Sequence, residues 1–328
     1  MKTLKSLQHQ MTALMMAAMV TATFAGTAHA AQLSGDARSS IPKDVQQIIV
    51  VDYKVMQSSP AAMQLKDRVL PPELKRLESA LKTSGLKVDQ DADTLAFAAF
   101  RSGTDKNGAA GTRILGVAQG QFDTTAIMAH FAKDKTKPTV YRQNSIYPMG
   151  SAGMSVAFLN QTTMVFGDRD AVKAALDARD GLQPNFLQNS EMMNDMAQVD
   201  SRPVWSLLDQ TGTQTMMKGV LGDASQLADY DTVKTRFKQA RYTMDFANGV
   251  KFEMDVVTSD TITAATAATL MKGVALMKQT GGSPLEKSAV NDTKIDSNAG
   301  TLTVSYSSSD TEFAGLLTSP LFQQVVVK

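Results

Sequence analysis

Tyr242-Thr243-Met244-Asp245-Phe246-Ala247-Asn248-Gly249-Val250-Lys251-Phe252-Glu253-Met254 is the stretch from which the fold can be read. Its large apolar residues, Tyr242, Met244, Phe246, Val250, Phe252 and Met254, are all even-numbered on both sides of Asn248-Gly249. Alternation of this kind marks strands with one buried face, and the turn between them decides which rows meet. A two-residue Asn248-Gly249 turn would set Phe246 opposite Lys251 and send the two apolar rows to different faces, which burial forbids. A three-residue loop, Ala247-Asn248-Gly249 with Gly249 in the left-handed position, pairs Phe246 with Val250, Met244 with Phe252 and Tyr242 with Met254. Asp245 then faces Lys251 on the wet side. An antiparallel sheet wet on one face and helix-covered on the other is an α+β layer.

Outward from this hairpin, Pro203 to Asp209 reads as a strand ending in aspartate, with a helical region after it to Phe237. Beyond the hairpin come an Ala/Thr-rich helix from Asp260 to Lys278, strands near Asn291 to Asp296 and Thr301 to Ser307, and a helix over Asp310 to Leu317 opened by a Ser309/Glu312 capping box. The N-terminal half runs in the same order. Ile48 to Tyr53 is a β-branched run containing Asp52, and Pro72 opens a helix with Leu74, Leu77 and Leu81 on one stripe and a stop at Gly85-Leu86. Strands Thr94 to Arg101 and Arg113 to Phe122 follow, then a helix capped by Asp123 that carries Ile127 and Phe131. Strands Thr139 to Tyr147, Met154 to Leu159 and Thr162 to Phe166 lead to a helix capped by Asp168, with Val172, Ala175 and Leu176 inside and Gly181 as its stop.

These readings divide the chain into a leader over 1–30, a first α+β unit over 31–181, a joint over 182–202 with one short helix from Glu191 to Ala197, and a second unit over 203–328. Each unit is expected to be a mostly antiparallel sheet with helices packed on one face. The leader is read from Lys2 and Lys5, the uncharged run Met11 to Ala25, and Ala28-His29-Ala30 before a cut ahead of Ala31. That run is shorter than the roughly 18 residues a membrane-spanning helix needs. The mature chain is therefore expected to be periplasmic or secreted, soluble, and without a stable membrane anchor.

Composition removes whole classes of function. The chain has 328 residues and no cysteine, so disulfides, thiolate metal sites and cysteine nucleophiles are excluded. Of its three histidines, His9 and His29 belong to the leader and only His130 remains, which removes the usual zinc sets. A formal net charge of +1, no long block of like charge and a single tryptophan, Trp205, argue against nucleic acid as a partner.

No catalytic, cofactor-binding or metal-ligating residue is assigned. His130, beside the Ile127 and Phe131 stripe, has no nucleophile or orienting carboxylate that the sequence can place next to it, so it is read as a half-covered boundary residue. Ser84-Gly85-Leu86-Lys87 matches the Ser-x-x-Lys pattern, but Gly85 stops a helix where that motif requires a start. Asp89, Asp91 and Asp93 alternate like a calcium loop, yet Thr94 and Phe100 stand where glycine and glutamate would be needed, so a solvated turn is expected. Met192, Met193 and Met196 share a helical face, and Met216, Met217, Met271 and Met277 add further thioethers. Cu(I) binding is chemically allowed, although methionine is also adaptable core filler, and the same residues could line a surface for an apolar ligand.

The order of export signal, strand ending at Asp52, long helix, Gly85-Leu86 stop, acidic turn to Asp93 and then a sheet resembles uncharacterised exported bacterial proteins built from tandem α+β units. The resemblance implies fold and compartment and supplies no functional residue. The function expected is that of a non-catalytic exported protein binding a protein partner or apolar ligand through one face or the joint. The alternatives are an enzyme with a site assembled from scattered Asp, Arg, Ser and Tyr in a cleft between the units, and a methionine-based Cu(I) binder.

Overall fold

The computed structural model describes residues 31–69, 87–104, 110–149, 153–221 and 233–318. The leader, the helix opened by Pro72 and Ser84 of the Ser-x-x-Lys match lie outside these residues. Many of the helices begin on a side chain that accepts a backbone N–H of the first turn. Asp52 accepts from Val55, Asp123 from Ala126, Asp168 from Asp170 and Ala171, Asp260 from Thr263, and Ser309 from Glu312. Each satisfies a donor that the helix itself cannot.

The first half holds α1 (Gly35–Ser40), β1 (Val45–Asp52), α2 (Tyr53–Gln57), α3 (Pro60–Val69), β2 (Ala92–Thr104), β3 (Ala110–Gly120), α4 (Thr124–Lys133), β4 (Thr139–Tyr141), β5 (Asn144–Met149), β6 (Met154–Phe158), β7 (Thr163–Asp168) and α5 (Arg169–Arg179). A 3-10 turn at Phe186–Gln188 and α6 (Ser190–Val199) connect it to the second half. There follow β8 (Val204–Leu208), α7 (Gln210–Leu221), β9 (Phe237–Asp245), β10 (Val250–Thr258), α8 (Thr261–Gly281), α9 (Pro284–Asn291), β11 (Thr293–Asn298), β12 (Thr301–Ser308) and α10 (Asp310–Leu317).

The α+β expectation holds, and the strands of both halves join in one twelve-stranded sheet, β11-β12-β10-β9-β8-β1-β2-β3-β7-β6-β5-β4. Every pairing of adjacent strands is antiparallel. The halves meet where β1 pairs with β8, Ile48 opposite Leu207 and Val50 opposite Trp205. Outward from that seam the order is β1-β2-β3-β7-β6 on one side and β8-β9-β10-β12-β11 on the other. The two series have the same topology, related by an approximate twofold axis through the seam. The likeness ends at the last helix, since α5 and α10 pack on opposite faces of the sheet.

The hairpin has the register its alternation required. Met244 pairs with Phe252, Tyr242 with Met254 and Asp245 with Lys251, and Gly249 has φ +79°. Its even-numbered row is covered by α7 and α8 through Leu208, Met217, Ala240, Met254, Val256, Ala267, Met271 and Leu302. Towards the turn, Phe246 and Val250 meet Phe313 and Leu317 of α10 and Ala61 and Ala62 of α3. The odd-numbered row, with Thr243, Glu253 and Lys251, is left half-buried or exposed.

In the first half helices cover both faces. On one, α4 seals Ala118, Val156, Met164 and Phe166 with Ile127 and Phe131. On the other, α1, α5 and α6 enclose Ile48, Val50, Leu115, Val165 and Trp205. The alternation of β1 is correspondingly weak, Ile48-Ile49-Val50-Val51, as a strand buried on both sides requires. Segment 182–202 belongs to this second core, for Phe186 is fully buried and Met192, Met196 and Val199 nearly so.

Two further features were not anticipated. Thr139 to Tyr147 is two strands, β4 and β5, because Arg142 and Gln143 both take positive φ, +46° and +66°. Two residues with positive φ suit the twist of a hairpin, but without glycine there the conformation is strained. Asp177 of α5 offsets that strain by accepting from Arg142 Nε at 2.7 Å and from the Tyr141 hydroxyl at 2.8 Å. The second feature is α9, which is opened by a reciprocal capping box between Ser283 and Glu286 with Pro284 in its first turn.

Candidate binding cleft

Helix α8 has 21 residues, about 30 Å of helix, and uses its two ends differently. Thr263, Ala264, Ala267, Ala268 and Met271 form a small-residue stripe buried on the sheet. Beyond Met271 the apolar residues continue, but not on that stripe. Leu276 and Met277 are 60% and 68% exposed, and Val274 and Ala275 are half-buried. Gly282 ends the helix, Ser283 and Pro284 start α9, and α9 returns the chain to β11.

Between the end of α8, the end of α9 and β11 lies a shallow, open cleft of about 330 Å³ lined by Lys272, Ala275, Leu276, Gln279, Val290, Thr293 and Ile295. Two hydrogen bonds hold its walls together. Gln279 donates to Asn291 Oδ1 at 2.8 Å, and the Thr293 hydroxyl donates to the Ala289 carbonyl at 2.7 Å. Ala275, Leu276, Val290 and Ile295 give it an apolar lining, and Lys272 is the only charged residue in that lining. The lining contains no carboxylate and no histidine, so it can bind an apolar group beside an acceptor but offers no acid–base pair.

The residues singled out from sequence lie elsewhere, and the structure does not gather them into a site. His130 is half-exposed on α4, its Nε2 3.2 Å from Asp134 Oδ2 within one helical turn. Asp91 caps the turn Val88–Asp91 by accepting from the Lys87 N–H, and Asp93 pairs with Lys54. These contacts are those of a solvated turn. Met192 and Met196 point into the core, 4% and 5% exposed, with Met193 packed beside them, and Met217 and Met271 are also buried. These four thioethers are turned away from solvent, Met193 and Met216 are half-buried, and of the seven methionines singled out Met277 alone is strongly exposed.

Several charged groups at the seam and on the wet face are paired with one another. Arg241 donates through Nε and Nη2 to Asp255 at 3.1 and 3.0 Å, and through Nη1 to Asp195 of α6 at 3.3 Å. Gln239 and Thr303 complete the coordination of those carboxylates. Burial pushes the Asp195 carboxyl above its ordinary range, against the pull of Arg241. Where β1 meets β8, Gln47 lies 3.4 Å from both Ser206 Oγ and the Tyr242 hydroxyl, a cluster closed into the sheet, and burial raises the Tyr242 pKa. Arg101 is bonded to Asp209, itself the cap of α7 through the Gly212 N–H, and to Thr211. These contacts serve architecture, tying helices to strands.

The cleft itself was invisible in the sequence, because it depends on where α8 overruns the sheet and on a helix, α9, that was not foreseen. The Ser283-Pro284-Leu285-Glu286 phrase was the available signal for that helix.

No protein-family model and no curated protein sequence matches the chain. Among solved structures it is similar to crystal form III of TP0453, with a TM-score of 0.50 at 7% identity over 85% of this chain and 96% of that one. Crystal form I of TP0453 aligns with a TM-score of 0.48 at 8% identity over 86% and 97%. At such identity the likeness to form III is one of fold. Among the described residues no helix is long and apolar enough to cross a membrane.

Proposed function

We propose that this chain is an exported, non-catalytic binding protein and that the cleft beside β11 receives an apolar group of its ligand or partner. One observation carries the reading. A helix whose first half packs a stripe on the sheet exposes Leu276 in its second half beside an open depression walled by Ala275, Val290 and Ile295, with Met277 exposed on the same helix. Large apolar side chains adjoining a concavity mark binding surfaces more often than isolated ones do. Lys272 at the same site would meet an acceptor or anion carried by the bound group.

The test uses an anionic apolar fluorophore, anilinonaphthalene sulfonate, titrated into the mature protein. Saturable fluorescence enhancement is expected. Ala275→Trp, which fills the cleft, should abolish it, and Lys272→Met should weaken it. Equal enhancement in the parent and the Ala275→Trp variant, with both folded by circular dichroism, would remove the cleft from consideration. Export is tested separately, by sequencing the N-terminus of protein recovered outside the cytoplasm.

A further inference from the structure

Strand β11, Thr293-Lys294-Ile295-Asp296-Ser297-Asn298, forms one edge of the sheet, and among the described residues it is paired only with β12. Its outer row of backbone N–H and C=O groups is available to another strand. Thr293, Ile295 and Ser297 point to the helix-covered face, as the pairing of Ile295 with Val304 requires, and Lys294 and Asp296 point to the wet face. Both charged residues are exposed, and neither forms a salt bridge among the described residues.

Read backwards, the centre of this edge is Asp296-Ile295-Lys294, the charge complement of itself read forwards. We infer that β11 is an interface for a second copy of this chain, paired antiparallel about a twofold axis at Ile295. Lys294 then stands opposite the partner's Asp296, Asp296 opposite the partner's Lys294, Ile295 opposite the partner's Ile295, and Thr293 opposite the partner's Ser297. The charges also select the register. A slip of two residues one way sets Lys294 against the partner's Lys294, and the other way sets Asp296 against the partner's Asp296, both like-charge pairs. A slip of one residue turns Ile295 to the wrong face.

The association closes at two copies. It is isologous and uses the β11 edge of each chain, while the far edge is the three-residue β4, preceded by Pro138, which has no N–H to offer a strand. An axis perpendicular to the sheet keeps faces matched, so the clefts of the two copies lie on the same side of the joined sheet. One six-residue strand gives a small interface, and the dimer is accordingly concentration-dependent. Thr293 and Ile295 of this edge also line the cleft, and the pairing itself uses their backbone groups and the charges of Lys294 and Asp296.

Sedimentation equilibrium on the mature protein should show a monomer–dimer exchange. Asp296→Lys, which opposes lysine with lysine twice, should weaken dimerisation at least tenfold. Adding Lys294→Asp to that variant restores the complementarity with signs exchanged and should restore the dimer. Because the chain has no cysteine, Ile295→Cys supplies a single thiol at the axis, and oxidation should yield one covalent dimer species. A protein that stays monomeric across the concentration range overturns the inference. So does a dimer insensitive to Asp296→Lys, a double variant that fails to recover, or an Ile295→Cys protein that dimerises without cross-linking.

Discussion

Gly249 is where the register of the central hairpin is most open to attack. Its φ of +79° costs an L-residue about 1 to 2 kcal/mol. The neighbourhood adds a second cost. A Cβ on Gly249 would lie 2.3 Å from the Ser308 carbonyl oxygen and 3.3 Å from its carbon, both backbone atoms of β12. Relief requires the start of the β10–β12 pairing, Val250 with Ser308, to move apart at the cost of roughly one hydrogen bond, about 1 kcal/mol, together with some packing. Gly181 provides the comparison, because its φ is +72° but nothing lies within 4 Å of where its Cβ would be. Gly181→Ala should therefore cost about 1 to 2 kcal/mol from strain alone. Gly249→Ala should cost about 2 to 4 kcal/mol, and Gly249→Val more because β-branching adds bulk against Ser308. Urea unfolding followed by the fluorescence of Trp205, the single tryptophan and fully buried, gives each value from one transition. A Gly249→Ala variant no less stable than Gly181→Ala would show that Ser308 does not crowd this turn, and the register inferred around it would fall.

Other expectations are more local. Phe186→Ala should cost about 3 to 5 kcal/mol, measured in the same urea transition, because Phe186 is fully buried although it lies in the segment between the halves. Asp195, its carboxyl raised chiefly by burial, binds a proton more tightly when folded, so its contribution to stability is full below the ordinary aspartate range and is lost as pH rises through the raised value. Asp195→Asn should flatten that loss, read as the difference in urea midpoint between variant and parent across the interval just above the ordinary range. Trp205 donates its indole N–H to the Ala31 carbonyl at 2.8 Å, and Ala31 is fully buried. Trp205→Phe should cost at least the roughly 1 kcal/mol of that bond, seen as a lower melting temperature, and N-terminal sequencing of exported material should begin at Ala31.

What could be read from sequence was local. The capping aspartates at 123 and 168 and the Ser309/Glu312 box fixed helix starts to within a residue, because a cap is chemistry between near neighbours. The hairpin register followed from alternation and one glycine. The turn at Arg142-Gln143 escaped because its positive φ angles rest on contacts to Asp177, far along the chain, rather than on glycine. The union of both halves in one sheet escaped for the same reason, since β1 and β8 recognise each other across the whole first half. The candidate cleft is a property of three elements meeting, and none of its seven lining residues is unusual alone.

The seam between β1 and β8 has a consequence for the order in which this molecule is made. Gln47 and Ser206, in contact across it, are 159 residues apart. As the chain folds, β1 can find β2 early, but its other edge waits for β8, flanked meanwhile by Ile48 and Val50, side chains that end fully buried. An unpaired edge of that composition is an aggregation site for as long as it stays open. Whatever keeps the folding chain apart from its neighbours therefore bears on this protein at its centre rather than at its ends, and the risk is greatest in the interval before Val204–Leu208 pairs with β1.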